Sequence, residues 1–461
     1  MSEVSPGVTA DLLQVIRGVL GDRVSTAATV REHHSHGESY HTPAPPDLVA
    51  YPRTTEEIAI IVRAASEREV PIIAFGAGTS LEGQVLALKG GVCIDLSQMS
   101  RVLRVSADDL DATVQAGVTH RQLNRQLANT GLAFFVDPGA DATLGGMTAT
   151  GASGTMAVRY GTMRENVRGL TVVLADGRVI TTGGRARKSS AGYDLTRMFV
   201  GSEGTLGIIS DITVRLHPLP EAVAVAVCSY PTIDAAVRTV IATIQLGVPV
   251  ARIELLDEVM MDAINRFSRL DYPVKPTLYF ELHGPSEREV SEQAETVQTI
   301  SAEHDGAGFL WVTRLEDRSR LWKARHDSYY ASLALRPGAK AWTTDACVPI
   351  SRLADCIVAS KSDLDESFLT GTLVGHVGDG NFHLLYLVDP DRPEELAEAK
   401  RLNERLVYRA IEMGGTCSGE HGVGIGKMGY LPREHGDGLE AMRAIKQALD
   451  PKNLLNPGKI L

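Results

Sequence analysis

A chain of 461 residues, 44% hydrophobic and 22% charged, is long enough for two or three domains and too apolar to be mainly disordered. Its 46 Lys and Arg stand against 57 Asp and Glu, a net charge of -11, with no basic cluster, so nucleic acid is excluded as a main partner. A site for an anionic substrate has to be made positive locally, against the overall field.

No stretch approaches the ~18 uninterrupted apolar residues of a membrane span. The opening MSEVSPGVTADLLQ lacks a signal-peptide pattern and carries acidic residues that transit peptides avoid. Five cysteines (Cys93, Cys228, Cys347, Cys356, Cys417) are scattered without a CxxC pair, which argues against a disulfide framework and against a zinc–thiolate site. The expected setting is a reducing compartment, most simply cytoplasmic.

In chain order, apolar residues at helical spacing after Thr54-Thr55-Glu56-Glu57 predict a helix over 55–68. Short apolar runs predict strands at 70–75, 92–96, 112–116 and 170–174, and residues 185–190 read as a loop. Further on come a strand at 223–230, a helix at 233–246, strands at 252–256 and 277–283, and an acidic helix at 287–304. Strands and helices mix throughout, which predicts an α+β architecture. The 44 glycines crowd into 76–91, 139–161, 201–207 and 414–429, and thin out between 218 and 371. That distribution predicts a glycine-rich first domain over 1–218, a second over 219–415, and a C-terminal segment, 416–461, that returns to the first.

The glycine-rich stretches carry the first chemistry. In Phe75-Gly76-Ala77-Gly78-Thr79-Ser80-Leu81-Glu82-Gly83, a strand runs into a turn whose amides and hydroxyls can cradle an anion. It is neither a P-loop nor a clean dinucleotide fingerprint. By itself it is as well read as an ordinary glycine-rich loop. Two further stretches, 136–161 and 200–209, are as rich in small residues. Three such segments point to a large, flat, phosphate-bearing cofactor.

The second chemistry is Gly375-His376-Val377-Gly378-Asp379-Gly380-Asn381-Phe382-His383, followed by Ser418-Gly419-Glu420-His421-Gly422. Two imidazoles and a carboxylate are a common donor set for zinc or manganese. His376 and His383 would face opposite ways on a straight strand, but the Gly378–Asn381 turn can fold them together. The bland alternative is two satisfied core histidines and a turn glutamate.

From 31 to 459 the chain resembles the FAD-linked D-lactate dehydrogenase (cytochrome) and D-2-hydroxyacid dehydrogenase family, with the vanillyl-alcohol-oxidase type of flavoprotein fold. The resemblance implies a two-part FAD-binding domain with a mixed α+β cap domain for substrate. It implies that Gly76, Gly78, Thr79, Ser80 and Gly83 hold the pyrophosphate. It places Pro138, Gly139, Thr143, Gly145, Gly146, Ser153, Gly154, Tyr160 and Gly161 along the flavin, with Ile208 and Ile209 towards the adenine and Asn456 among the cofactor residues. Some members of the wider superfamily tether FAD through a histidine in the first loop; this loop has no His and no Cys, so the expectation is non-covalent FAD.

The same resemblance assigns a divalent metal (Zn or Mn) to His376, His383 and Glu420, the catalytic base to His421, the carboxylate grip to Arg325, and a polar substrate contact to Asn381. Without it, Arg325 in Arg320-Leu-Trp-Lys-Ala-Arg325 would read as a solvated helix face. The implied activity is oxidation of a small D-2-hydroxy acid. Relatives acting on the larger diacid carry a Lys two residues before an Asp that matches Asp345; here that residue is Thr343, which favours D-lactate, although Lys340 is near in sequence. D-2-hydroxyglutarate and glycolate remain as alternatives within the family. The rival classes are a non-redox ether-lipid-type transferase on the same fold and a flavin-free metal protein. The electron acceptor (cytochrome, quinone, electron-transfer flavoprotein or oxygen) and the oligomeric state are not specified. His33, His34, His36 and His41 carry no assigned role.

Overall fold

The computed structural model describes residues 9–461. The opening stretch 1–14, read as lacking a signal-peptide pattern, lies outside the described residues over 1–8. Two compact units emerge. The first comprises the chain up to Gly154, Gly161–Leu219 and Glu420–Leu461; the second comprises Thr155–Tyr160 and Pro220–Gly419.

In the first unit, the strands Leu48–Ala50, Val92–Asp95 and Ile72–Phe75 pair in parallel, in that order, and Val24–Ser25 adds an antiparallel edge. The crossover is the helix Thr55–Glu67, whose N-cap Thr54 accepts the Glu57 amide. Its Ile58, Ile61, Val62 and Ala65 stripe is buried. The strand expected from residue 70 begins at Ile72. Pro71 has no N–H to give a ladder, and the Val70 amide turns back to the Ala65 carbonyl.

A five-stranded antiparallel sheet follows in the order Val102–Ser106, Asp111–Gln115, Ile208–Arg215, Val167–Val173, Val179–Gly183. The C-terminal residues return to the parallel sheet: the Ile72 amide donates to the Leu454 carbonyl, and the Asn456 amide donates to the Ile72 carbonyl.

The second unit is built on an eight-stranded sheet buried on both faces. Alternation along Thr277–Gly284 sends Leu278, Phe280 and Leu282 into one core and Tyr279 into another. The first core receives the helices Ile233–Gln245, Glu287–Glu303, Leu353–Asp365 and Pro393–Glu412. The second receives Glu258–Ser268, Leu315–His326 and Ser328–Ala334.

Two segments depart from the expected division. Residues 155–160 join the second unit because the Arg159 guanidinium donates to the Pro249 and His283 carbonyls, the latter at 3.0 Å. Residues 416–419 also join it, because Thr416 exchanges backbone hydrogen bonds with Cys347. The Gly-rich spacing alone carries no trace of either contact.

Candidate active site

The first unit holds a cavity of about 190 Å³. Of the expected cofactor residues, Gly76, Gly78, Thr79, Ser80, Pro138, Thr143, Gly145, Gly146, Ser153 and Ile209 line it, and so do Glu420 and His421. Gly83, Gly139, Gly154, Gly161, Ile208 and Asn456 do not. Ile208 is buried in the core of this unit. Asn456 braces the cradle from behind, its side-chain amide donating to the Gln84 and Glu203 carbonyls at 2.9 and 2.8 Å. Tyr160 belongs to the second unit, where its hydroxyl lies 2.7 Å from His283 Nδ1.

The lining suits a phosphate-bearing cofactor. Among the described residues, the amides from Ala77 to Leu81 meet no protein acceptor, and Ser80 Oγ is buried without a hydrogen-bond partner. Five successive unsatisfied amides and a hydroxyl form a donor nest for an anion. Gly78 makes the turn with φ of +70°, and a Cβ there would stand 2.8 Å from the Phe75 ring. Gly78→Val is therefore expected to strain or reshape the loop, at ~1–3 kcal/mol for the backbone alone. Purified Gly78→Val protein should have a much lower flavin-to-protein absorbance ratio than wild type; an unchanged ratio would remove this turn from cofactor binding.

The segment bearing His421 is fastened to the cradle by three side chains that the sequence reading did not single out. Glu203 accepts the Val423 and Gly424 amides at 2.6 and 2.9 Å. Gln84 donates to the His421 carbonyl at 2.8 Å. Glu82 lies 3.9 Å from His421 Nδ1 and 3.4 Å from Lys427 Nζ. A Cβ at Gly424 would fall 1.9 Å from the Glu82 carbonyl oxygen, so only glycine permits this approach. Burial pushes the Glu203 carboxyl up to about 7, against the lowering effect of those two amides. Burial likewise brings Lys459 down to about 8, opposed by Glu203. A Glu inside a Gly-Ser-Glu-Gly stretch was the only signal available for Glu203.

The second unit gathers the other candidates on one side of its sheet. The strands Thr370–His376 and Asn381–Val388 form a hairpin with His376 opposite Asn381 and His383 opposite Val374. The turn between them does fold the two histidines together: their ring centroids are 5.3 Å apart at 78°. His383 Nδ1 lies 2.8 Å from the Thr344 carbonyl, which can only accept, so Nδ1 carries the hydrogen and Nε2 the lone pair. His376 Nδ1 lies 2.7 Å from Glu254 Oε1, and the carboxylate enforces the same tautomer. Both rings thus present the nitrogen that a metal requires.

Glu254 is fully buried, and its other oxygen accepts from Arg325 Nε at 2.7 Å. Burial alone would raise this carboxyl, but its interactions with His376 and Arg325 outweigh that and hold it below the ordinary value. Arg325, on the helix Leu315–His326, is also fixed by Ser328 Oγ, 3.1 Å from Nη1. Asn381 donates to Asp345 Oδ1 at 2.8 Å and to the Ala346 carbonyl at 3.0 Å, which leaves its own buried Oδ1 without a partner. His34 bonds Asp95 and the Val30 carbonyl in the first unit, a structural arrangement.

Residues 46–183 match the model of the FAD binding domain, and residues 219–460 match that of the C-terminal domain of FAD linked oxidases. A protein of Danio rerio, "Probable D-lactate dehydrogenase, mitochondrial", is 52% identical over 96% of this chain and 90% of its own length. The "D-lactate dehydrogenase [cytochrome], mitochondrial" of Arabidopsis thaliana is 46% identical over 98% of this chain and 80% of its own. Among solved structures, p-cresol methylhydroxylase superposes with a TM-score of 0.81 at 20% identity, covering 99% of this chain and 98% of that one. The fold is of the vanillyl-alcohol-oxidase type, with mixed α and β content, as expected.

Proposed function

This chain belongs to the FAD-linked oxidase family together with the D-lactate dehydrogenases, and from that membership we propose that it is an FAD-dependent dehydrogenase that converts D-lactate to the 2-oxo acid. The observation that carries the reading beyond membership lies in the second unit: Arg325 and His376 share one buried carboxylate, Glu254, and the ring of His383 lies against that of His376.

Arg325 grips the substrate carboxylate: Nε and one Nη position are engaged within the protein, and the remaining N–H groups of the planar fork are left for a carboxylate. His376 and His383 are the nitrogen donors for a divalent cation, Zn or Mn, and Glu420, next in the chain after the second unit, is the oxygen donor proposed from the sequence. A cation held there would supply Lewis-acid activation of the 2-hydroxyl. His421 takes the hydroxyl proton as general base. Asn381 offers its unpartnered Oδ1 as a hydrogen-bond acceptor towards the substrate. Gly76, Gly78, Thr79 and Ser80 would hold FAD, which would supply the redox chemistry as the acceptor for the hydrogen of carbon 2. The first loop offers no His or Cys for a covalent tether, so the FAD is held non-covalently.

The preference for a monoacid rests on Thr343. Lys340 stands three residues away on the same strand, opposite Val388 and exposed, at ~10 Å by strand rise, too far to supply the charge that Thr343 lacks. A cytochrome is the proposed acceptor, the class named for the Arabidopsis relative. The mitochondrial location is printed for the two relatives. For this chain, five free thiols support a reducing compartment, which we read as cytoplasmic, and no helix among the described residues is long and apolar enough to cross a membrane.

The test is a panel of D- and L-2-hydroxy acids added anaerobically to metal-replete protein. D-lactate should bleach the flavin, L-lactate should not, and D-2-hydroxyglutarate should do so poorly. The same preparation should release its FAD into solution on acidification. Bleaching by no hydroxy acid would sink the dehydrogenase reading and favour the transferase class, and flavin retained on denatured polypeptide would overturn the non-covalent assignment.

A further inference from the structure

The strand Val250–Leu256 sends Ile253 and Leu255 into the apolar core, and Glu254 projects to the opposite face. Its neighbour Leu255 pairs with Gly375, which brings His376 beside Glu254 across the ladder. Side chains that fill space at such a position are apolar, because an uncompensated buried carboxylate is destabilising. Here it is compensated on both oxygens, at 2.7 Å by Arg325 Nε and at 2.7 Å by His376 Nδ1, and Glu254 itself has no exposure.

We infer that Glu254 is a positioning residue for the reaction: one carboxylate aims His376 Nε2 at the cation and the Arg325 fork at the substrate carboxylate. This rests on the proposed roles of those two residues. A carboxylate only accepts hydrogen bonds. Two donors converge on it, so His376 is held with hydrogen on Nδ1 and the lone pair on Nε2, while Arg325 is held by Nε, with Nη1 on Ser328 and the remaining N–H groups left for a carboxylate.

A glutamine cannot serve both. With its carbonyl on Arg325, its amide N–H faces His376 Nδ1 and selects the tautomer whose Nε2 is blocked by hydrogen. With its carbonyl on His376, its amide opposes the guanidinium. An aspartate keeps the charge and, one methylene shorter, reaches neither donor well.

The experiment uses FAD-loaded Glu254→Gln and Glu254→Asp, with Asp as the variant that retains the buried charge should Gln fold poorly. Chelator competition with Mn²⁺ should show metal affinity about 10–100-fold weaker than wild type, the cost found for partners of a metal-binding imidazole. At saturating Mn²⁺, KM for D-lactate should rise by about tenfold because Arg325 is no longer aimed. Flavin content should stay at the wild-type level. A purely structural role would lower Tm and leave metal affinity and KM unchanged, and that result overturns the inference. Wild-type protein that binds no divalent cation overturns the proposed function and this inference together. Wild-type binding with unaltered Glu254 variants overturns the inference alone.

Discussion

His421→Ala is expected to keep both flavin and metal and to reduce its flavin with D-lactate ~10²–10⁴-fold more slowly than wild type, the usual worth of a general base. The fold around it should survive, because the attachments of its segment are made by the main chain: the His421 carbonyl accepts from Gln84, and the Val423 and Gly424 amides donate to Glu203. Removing the imidazole leaves all of these in place. His376→Ala, His383→Ala and Glu420→Ala should behave differently, each lowering metal content and each partly restored by added Zn²⁺ or Mn²⁺ through mass action. Raising the pH should help His421→Ala more than those three, since hydroxide can replace a base and cannot replace a cation. Stopped-flow flavin reduction with parallel elemental analysis reads both properties. The division of roles fails if His421→Ala is the variant that loses metal, or if wild type verified to be metal-free remains fully active.

Arg325→Lys should lose about ten- to a thousandfold in kcat/KM, or ~1.4–4 kcal/mol of transition-state stabilisation, while keeping its flavin. The guanidinium has two separate internal tasks, Nε on Glu254 and Nη1 on Ser328, and still has N–H groups for a substrate. A single ammonium retains the charge but cannot bond Glu254 and clamp a carboxylate in the same planar geometry. The substrate then sits loosely, and a small displacement of carbon 2 is costly in rate. Near-normal kcat/KM would remove Arg325 from the carboxylate role.

Local signals in the sequence proved sufficient wherever the physics is local. The Thr54 cap and acidic first turn announce the helix Thr55–Glu67, and the buried apolar runs announce strands such as Val92–Asp95. The Gly378-Asp-Gly380-Asn turn does what its composition allows, reversing the chain so that His376 and His383 share a hairpin. The same turn chemistry shapes the loop 76–83, since glycine alone tolerates Gly78's positive φ without strain.

Glu254 shows where such reading stops. In Val250–Leu256 it is one acidic residue in an apolar strand, and nothing nearby marks it as different from a surface charge. Its partners Arg325 and His376 are 71 and 122 residues away in the chain. Glu203 is similar: a glutamate in a glycine turn becomes an anchor only because residues 220 and 221 positions later donate their amides to it.

The sequence by itself therefore determined the local elements and the glycine-dense cradle and singled out candidates for the chemistry-bearing residues, because helix caps, alternation and turn geometry act over a few residues. Tertiary structure alone decided which unit 155–160 and 416–419 join, which cofactor candidates line the cavity and which brace it, and which buried carboxylates orient the imidazole, the guanidinium and the His421 segment. Those outcomes depend on donors and acceptors far apart in the chain meeting within about 3 Å, and only the folded sheets bring them there.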